Sequence, residues 1–178
     1  MNDKIEIPLS KSKIIVLLAG SLIFVSIGIL FIYRPDSFTT SVFNRPQYIL
    51  VAGIFSALIF GLCGLFLGRK LFDSKVGLTV DHHGITDNSS GTSIGLIEWE
   101  DIQGIEVLQV ASTKFVLLVT DQPEKYIARA PSGLAKRAMK ANYQMYGSPI
   151  CISSNALKIR FAELQSLLVD EFQKRLQN

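Results

Sequence analysis

Two stretches of the chain consist of apolar, small and uncharged polar residues, without a single charged side chain. The first runs from Ile14 to Tyr33 and the second from Tyr48 to Gly68. About twenty helical residues at about 1.5 Å each cover the roughly 30 Å of a bilayer's hydrocarbon core. The pattern therefore predicts two transmembrane helices, at residues 14–33 and 48–68. The connecting segment contains Pro35 and Pro46, which favour turns and helix ends.

From Val76 onward, apolar and polar positions alternate, and this period of two is typical of strands. Turn residues interrupt the alternation at His82-His83-Gly84, at Asn88–Gly91 and at Asp121–Glu124. The predicted strands cover residues 76–80, a segment from 85, and 93–99, 105–110, 115–120 and 126–128. Such short strands with short turns indicate an antiparallel meander, and hence a small barrel or sandwich.

Two segments in the same half of the chain have the period of an amphipathic helix instead. Residues 134–146 follow a Pro-Ser-Gly turn and end at Gly147, and residues 161–176 place Phe161, Leu164 and Leu168 on one face. The predicted fold class is a membrane α-hairpin plus an α+β domain, which is an antiparallel barrel or sandwich closed by a C-terminal amphipathic helix. The predicted boundary separates residues 1–75, an N-terminal tail with both spans, from the domain at residues 76–178.

Basic residues near the ends of the two spans predict how they are oriented. Two of these residues lie in the connecting segment, Arg34 and Arg45, and six flank the opposite ends of the spans: Lys4, Lys11, Lys13, Arg69, Lys70 and Lys75. Because Lys and Arg accumulate on the cytoplasmic side of membrane proteins, both termini are expected in the cytoplasm.

Small residues recur along the second span at a helical spacing, at Gly53, Ala57, Gly61, Gly64 and Gly68. A stripe of this kind lets another helix backbone approach closely. The first span, with Gly20 and Gly28, is the favoured partner, and a second copy of the protein is the alternative.

Charge is segregated within the C-terminal half. Residues 81–124 contain eight acidic residues and one base, whereas residues 125–160 contain seven bases and no acid. The basic segment suggests a surface for an anionic partner, either a protein or lipid head groups, formed by Lys136, Arg137, Lys140, Tyr143 and Tyr146. A second candidate protein-binding face is acidic and comprises Glu98, Glu100 and Asp101. Alternatively, the bases only neutralise the acidic strands within the fold.

The sequence lacks the motifs of common catalytic and metal sites. No Gly-rich phosphate loop, nucleophile elbow or Cys-x-x-Cys occurs, and no cluster of cysteines or carboxylates flanks the adjacent His82 and His83 at ligand spacing. Cys63 and Cys151 are expected to be free thiols. The net charge of +3 comes from the membrane half, so it does not indicate nucleic-acid binding. No catalytic residue, metal or cofactor is predicted.

Three short motifs carry a resemblance to a known family. They are Gly84-Ile85-Thr86-Asp87, the segment from Gly95 to Ile102 that includes Trp99-Glu100-Asp101-Ile102, and Tyr143 to Ile150. Together with the two spans, they resemble a family of uncharacterised bacterial inner-membrane proteins that pair two transmembrane helices with a cytoplasmic pleckstrin-homology-like domain. The resemblance implies this architecture and a bacterial inner-membrane location, and no established activity.

The favoured hypothesis is a non-enzymatic, membrane-anchored module that binds a protein or lipid partner. The alternative is an immunity protein that neutralises a toxin at the inner membrane or in the cytoplasm. A lipid or peptide hydrolase is a third, weaker hypothesis. Trp99 is expected to be buried, with Ile102 and Phe172 nearby.

Overall fold

The computed structural model describes residues 4–40 and 44–177 of the chain. They form two units, which are described separately. One unit is the helical segment from Lys11 to Asp73, and the other combines residues 4–10 with the chain from Ser74 onward. The sequence had placed residues 1–75 in a single N-terminal region. The first described residues instead belong to the C-terminal unit.

The helical unit contains α1 (Lys11–Tyr33) and α2 (Pro46–Leu71), joined through a 3-10 turn at Pro35–Phe38. At 23 and 26 residues, the helices are about 35 and 39 Å long. Both are long and apolar enough to cross a membrane, and most of their apolar side chains are exposed. The two predicted helices are therefore confirmed, with two or three additional residues at three of their four ends.

The two helices pack closely at Gly28 and Gly53. A Cβ atom added at Gly53 would lie 2.7 Å from the Gly28 carbonyl oxygen, and one added at Gly28 would lie 2.9 Å from the Ala57 nitrogen. Ser56 Oγ donates to the Phe24 carbonyl at 3.0 Å, and the Phe24 and Phe60 rings stack 4.4 Å apart. Of the five small residues of the stripe, Gly53, Ala57 and Gly64 lie against α1. Added Cβ atoms at Gly61 and Gly68 would meet nothing within 4 Å in the described structure.

The ends of the hairpin that carry basic residues are tied together by one lysine. Lys11 Nζ, in the first turn of α1, donates to the carbonyl oxygens of Leu71 and Asp73, the latter at 2.7 Å. The last carbonyls of a helix have no partner within the helix and carry partial negative charge, so a cation there is favourable. Lys70 also forms an ion pair with Asp73 at 2.8 Å.

The C-terminal unit contains two separate antiparallel sheets. The first has the order β1-β2-β3-β4, from β1 (Ile5–Ile7), β2 (Leu78–Val80), β3 (Gly84–Asp87) and β4 (Gly95–Glu98). The second has the order β5-β6-β7, from β5 (Ile102–Val110), β6 (Thr113–Thr120) and β7 (Ile150–Ile152). A 3-10 turn at Trp99–Asp101 leads from the first sheet into the second. No closed barrel forms among the described residues, so the barrel version of the prediction is wrong and the paired-sheet version is the closer one.

Three helices complete this unit: α3 (Pro123–Ala128), α4 (Gly133–Tyr146) and α5 (Phe161–Leu176). The amphipathic pattern predicted α5 at its observed bounds. Leu164 and Leu168 of α5 are fully buried in one core with residues of both sheets. Trp99 and Ile102 belong to this core and Phe172 packs against it, as predicted.

Several local predictions differ from the structure, and the differences at α3 and β1 change an element rather than its bounds. Residues 126–128 were predicted as a strand, but they lie in α3, because Pro123 occupies the first helical turn and favours a helix start. The strand β1 was not predicted at all. It pairs with β2 with Ile5 opposite Val80 and Ile7 opposite Leu78.

Candidate functional site

The predicted basic surface lies on α4, whose ends are set by ordinary capping. Ser132 Oγ accepts from the Ala135 N–H at 3.1 Å, and Gly147 ends the helix in the left-handed conformation, with φ of 79°. Ala135 and Met139 face the core. Four of the predicted residues are exposed, Lys136, Arg137, Lys140 and Tyr143, whereas Tyr146 is half-buried.

The three exposed cations of α4 differ from other bases in the same segment of the chain. Among the described residues, Lys136, Arg137 and Lys140 form no ion pair. Lys125 and Arg129 of the same basic segment do pair with acids within the fold. The neutralising role weighed from the sequence therefore applies to Lys125 and Arg129, and the α4 cations remain open to an external anion. We call Lys136, Arg137, Lys140 and Tyr143 the α4 surface.

Two of the three acids of the predicted acidic face, Glu98 and Asp101, form ion pairs within the fold. Arg129 forms a two-pronged interaction with the Glu98 carboxylate, with nitrogen–oxygen distances of 2.9 and 3.1 Å. Lys125 Nζ lies 2.6 Å from Asp101 Oδ2 and 3.5 Å from Glu98 Oε1. Glu100 is exposed and lies outside this cluster. The three acids therefore do not form one solvated face.

Tyr126 lies at the centre of these ion pairs. Its side chain is fully buried, and its hydroxyl lies 2.8 Å from Glu98 Oε2 and 2.6 Å from Asp101 Oδ2. The same oxygen accepts from the Glu98 N–H at 3.1 Å. The guanidinium of Arg129 and the ammonium of Lys125 lie over the ring, 5.3 and 5.6 Å from its centre. We call Glu98, Asp101, Lys125, Tyr126 and Arg129 the tyrosine cluster.

The charges of the cluster hold its acids in their ionised form. Hydrogen bonds from Arg129 and Tyr126 lower the pKa of Glu98 to about 2, against a cost of burial. Burial also acts to raise the pKa of Asp101, but hydrogen bonds from Lys125 and Tyr126 outweigh it and the pKa is lowered. Burial and the two neighbouring carboxylates raise the pKa of Tyr126. Two ionised carboxylates that are ion-paired with two bases are typical of a structural network. A proton-transfer site instead needs a group whose pKa lies near the working pH.

A second set of contacts joins the end of α5 to the turn after β2. The Trp99 indole N–H donates to the Asp81 carbonyl at 2.8 Å, and the Arg175 guanidinium lies 5.2 Å from the centre of the indole ring. Arg175 also donates to the carbonyl oxygens of Asp81 and His82, both at 3.1 Å. Asp81 Oδ1 accepts from the His83 N–H at 2.9 Å, so the two histidines lie in a side-chain-stabilised turn. Within the described part of the chain, no group of three or more His, Cys, Asp or Glu side chains is arranged to hold a metal ion.

A small apolar groove of about 190 Å³ lies between the end of α4 and the β5–β6 hairpin. It is lined by Leu108, Val110, Phe115, Asn142, Met145, Tyr146 and Cys151. Burial raises the pKa of Cys151 to about 11, so this thiol is protonated at neutral pH and is a poor nucleophile. Neither cysteine forms a disulfide.

Comparisons with protein-family models, curated proteins and solved structures found no match to this chain. The resemblance to the bacterial two-span family, and the pleckstrin-homology-like fold it implies, therefore stay predictions.

Proposed function

We propose that this protein is a non-enzymatic, membrane-anchored binding module. In this proposal α1 and α2 cross the bilayer of a bacterial inner membrane, and the C-terminal unit binds an acidic protein partner on the cytoplasmic side. The observation that carries the binding role is the set of exposed cations on α4 that lack an acidic partner in the described structure.

The distribution of apolar side chains supports the membrane anchor. A helix that is apolar on all sides is found in the core of a large protein or in a lipid bilayer. In α1 and α2, large apolar side chains such as Val16, Phe55 and Leu62 are more than half exposed. Exposure of apolar area to water costs about 25 cal/mol per Å². Contact with lipid acyl chains removes this cost, so a bilayer suits the surface of both helices.

The pairing of β1 with β2 supports an even number of crossings. These strands lie on either side of the helical hairpin in the sequence, yet they are neighbours in one sheet. A chain that leaves a domain and returns to it on the same side of a membrane must cross an even number of times. Two spans satisfy this condition, and the six-to-two distribution of basic residues supports a cytoplasmic location for the shared side.

The spacing of the α4 surface supports an acidic protein as its partner. Lys136, Lys140 and Tyr143 follow one another at intervals of four and three residues, so they form a single stripe along the helix, with Arg137 beside it. Basic residues with an aromatic neighbour are suited to carboxylates on a facing protein surface. The immunity-protein hypothesis also needs a protein partner, but two of its three candidate acids are held in the tyrosine cluster, so no contact favours it.

Photocrosslinking of the full-length protein in its membrane tests the binding role. A crosslinking residue at Gln144, next to the stripe, should capture a discrete partner, and one at Gln173 on α5 should not. The capture should disappear in Lys136→Glu/Arg137→Glu/Lys140→Glu. It should persist in the charge-preserving control Lys136→Arg/Arg137→Lys/Lys140→Arg.

Undiminished capture by the folded charge-reversed protein would remove the α4 surface from the proposal. A captured partner without acidic residues at the crosslinked site would have the same consequence.

A further inference from the structure

The C-terminal unit has one end from which the chain continues into the helical hairpin. The Ser10 N–H donates to the Ala156 carbonyl at 2.8 Å, and the Lys158 N–H donates to the Pro8 carbonyl at 2.9 Å. Leu9 and Leu157 form a bridge between these two segments. The next residue, Lys11, begins α1. We call the part of the unit around residues 8–10 and 156–161 the proximal end.

The returning chain re-joins the unit at the same end. Gly77 packs so closely against Leu157 and Leu9 that an added Cβ atom would lie 2.5 and 3.1 Å from their side chains. Gly77 precedes β2 by one residue and follows α2 by six. Both connections to the hairpin therefore leave from the proximal end.

The tip of the β5–β6 hairpin lies at this proximal end as well. Lys114 Nζ is 6.0 Å from the centre of the Phe161 ring, and Phe161 begins α5 only three residues after Lys158. The other end of β6 leads into α3, where the Tyr126 hydroxyl is hydrogen-bonded to the Asp101 carboxylate. The far end of α5 is held by Arg175 at the turn after β2. The hairpin thus runs from the tyrosine cluster at the distal end to a tip at the proximal end.

The tip of the hairpin combines an exposed apolar side chain with cations that form no ion pair in the part of the chain that the structure describes. Val110, the last residue of β5, is 41% exposed, and Lys114 and Lys158 are exposed. Neither lysine pairs with an acid there, whereas the neighbouring Arg160 is paired with Glu163. An apolar side chain flanked by lysines suits the boundary of a bilayer, where acyl chains meet charged head groups.

We propose that the tip of the β5–β6 hairpin, together with Lys114 and Lys158, docks on anionic phospholipid head groups. These head groups belong to the membrane that α1 and α2 cross, so the inference rests on the membrane anchor of the proposed function. Ile14, the first residue of the charge-free run, follows Ser10 by four residues, so at most about 10 Å of chain connects the proximal end to that run. This length of chain is close to one Debye length at physiological salt, so a lipid charge at the start of the run would reach lysines at the proximal end.

The same geometry separates this docking surface from Lys136 and Arg137, the two cations of the α4 surface that lie in the first turns of the helix. Tyr146 and Met145, at the end of α4, line the groove against the hairpin. Lys136 lies ten residues earlier, which is about 15 Å along the helix axis. The lipid charge is largely screened over that additional distance, so the first turns of α4 remain available to a protein.

The expected effect follows from the attraction of single charges to anionic lipid. Each Lys near such a surface shifts the docked population about fivefold, so neutralising both lysines should reduce it about 30-fold. The docked state should also weaken as salt rises.

Depth-dependent quenching on the full-length protein in nanodiscs tests the proposal. An environment-sensitive fluorophore is placed at Ala111→Cys, on the tip, in a background of Cys63→Ala and Cys151→Ala. In nanodiscs with about 30% phosphatidylglycerol, spin-labelled lipid should quench this fluorophore at low salt. Quenching should fall in pure phosphatidylcholine, at high salt, and in Lys114→Gln/Lys158→Gln. A fluorophore at Asp121→Cys, at the distal end of β6, should not be quenched under any of these conditions.

Two controls keep the test decisive. Lys136→Gln/Arg137→Gln should leave the quenching at Ala111 unchanged, which separates this surface from the α4 surface. Amide hydrogen exchange of residues 107–114 in the unsubstituted protein should slow in anionic nanodiscs and not in zwitterionic ones. An unquenched tip, quenching insensitive to lipid charge and to the two lysines, or exchange equal in both lipids would overturn the proposal. Failed insertion of the hairpin would instead contradict the membrane anchor itself.

Discussion

Removing a single oxygen atom from the tyrosine cluster should measurably destabilise the C-terminal unit. Tyr126→Phe keeps the buried ring and deletes the hydroxyl that lies 2.8 and 2.6 Å from the Glu98 and Asp101 carboxylates. The same oxygen is the acceptor for the Glu98 N–H. The substitution therefore removes hydrogen bonds without opening a large cavity.

The magnitude follows from which groups lose their partners. The Glu98 N–H is left without its acceptor, and an unsatisfied buried donor costs about 1–3 kcal/mol. The two carboxylates lose one donor but keep Arg129 and Lys125, so their added cost is at the low end of the range for a charged hydrogen bond. We expect the free energy of unfolding to fall by about 2–3 kcal/mol.

The chain contains its own probe for this measurement. Trp99 is the only tryptophan, it is buried beside Glu98, and its emission therefore reports unfolding of the C-terminal unit. Urea unfolding of the full-length protein in nanodiscs, followed by this emission, gives the free energy for parent and variant. Tyr143→Phe is the matched control, since this tyrosine is exposed on α4 and should change stability by less than about 0.5 kcal/mol. If Tyr126→Phe changed stability no more than the control, the cluster would not stabilise the fold.

Three further outcomes follow from the same structure. Trp99→Ala should lower stability by about 3–5 kcal/mol, enough to make residues 74–177 protease-sensitive, because the indole is buried and bonded to Asp81. Glu98 has a pKa of about 2 in the fold against an ordinary value of 4.5, so its contribution is complete above pH 4.5 and is lost as pH falls towards 2. Urea titrations should show Glu98→Gln less stable than the parent by roughly 1–2 kcal/mol at pH 7, since the side chain is 29% exposed, and this difference should shrink towards pH 2. Gly53→Ile should separate α1 from α2 and abolish an engineered Phe24→Cys/Phe60→Cys disulfide. Gly61→Ile should leave that disulfide intact, because Gly53 lies against the backbone of α1 whereas Gly61 does not.

The two long apolar helices and the terminal helix were the parts of the fold that local sequence pattern predicts well. Charge-free runs of about twenty residues have few alternatives to a long apolar helix. The face of α5 built from Phe161, Leu164 and Leu168 repeats with the helical period over its whole length. Each of these signals is contained within the element that it predicts.

The elements that were missed depend on distant partners. The short segment Ile5–Ile7 becomes a strand because β2 lies beside it, more than 70 residues later in the chain. A three-residue alternation carries too little signal to predict that pairing. For α3, the local sequence did contain a helix start at Pro123, but the alternation around Tyr126 suggested a strand.

For the candidate surfaces too, local pattern predicted some features, whereas others depend on residues that are distant in the sequence. The exposed face of α4 could be read from helical spacing, and the structure leaves its cations outward. The internal ion pairs of Glu98 and Asp101 could not be predicted in this way. Their partners Lys125, Tyr126 and Arg129 lie in α3 or directly after it, 24–31 residues away in sequence. The tip proposed to dock on lipid could be placed at the proximal end only from the strand pairing of β5 with β6 and the contact of Lys114 with Phe161.

Cysteine accessibility measures the central claim most directly, which is that one membrane hairpin anchors a domain built from both flanks of the chain. Single cysteines at Lys4, Thr39 and Gln177, in a background of Cys63→Ala and Cys151→Ala, are exposed to a membrane-impermeant maleimide in bacterial cells with a permeabilised outer membrane. Thr39, between the two helices, should be labelled in intact cells, whereas Lys4 and Gln177 should be labelled only after lysis. Labelling of Lys4 and Gln177 on opposite sides, or of all three positions from the outside, would contradict the account.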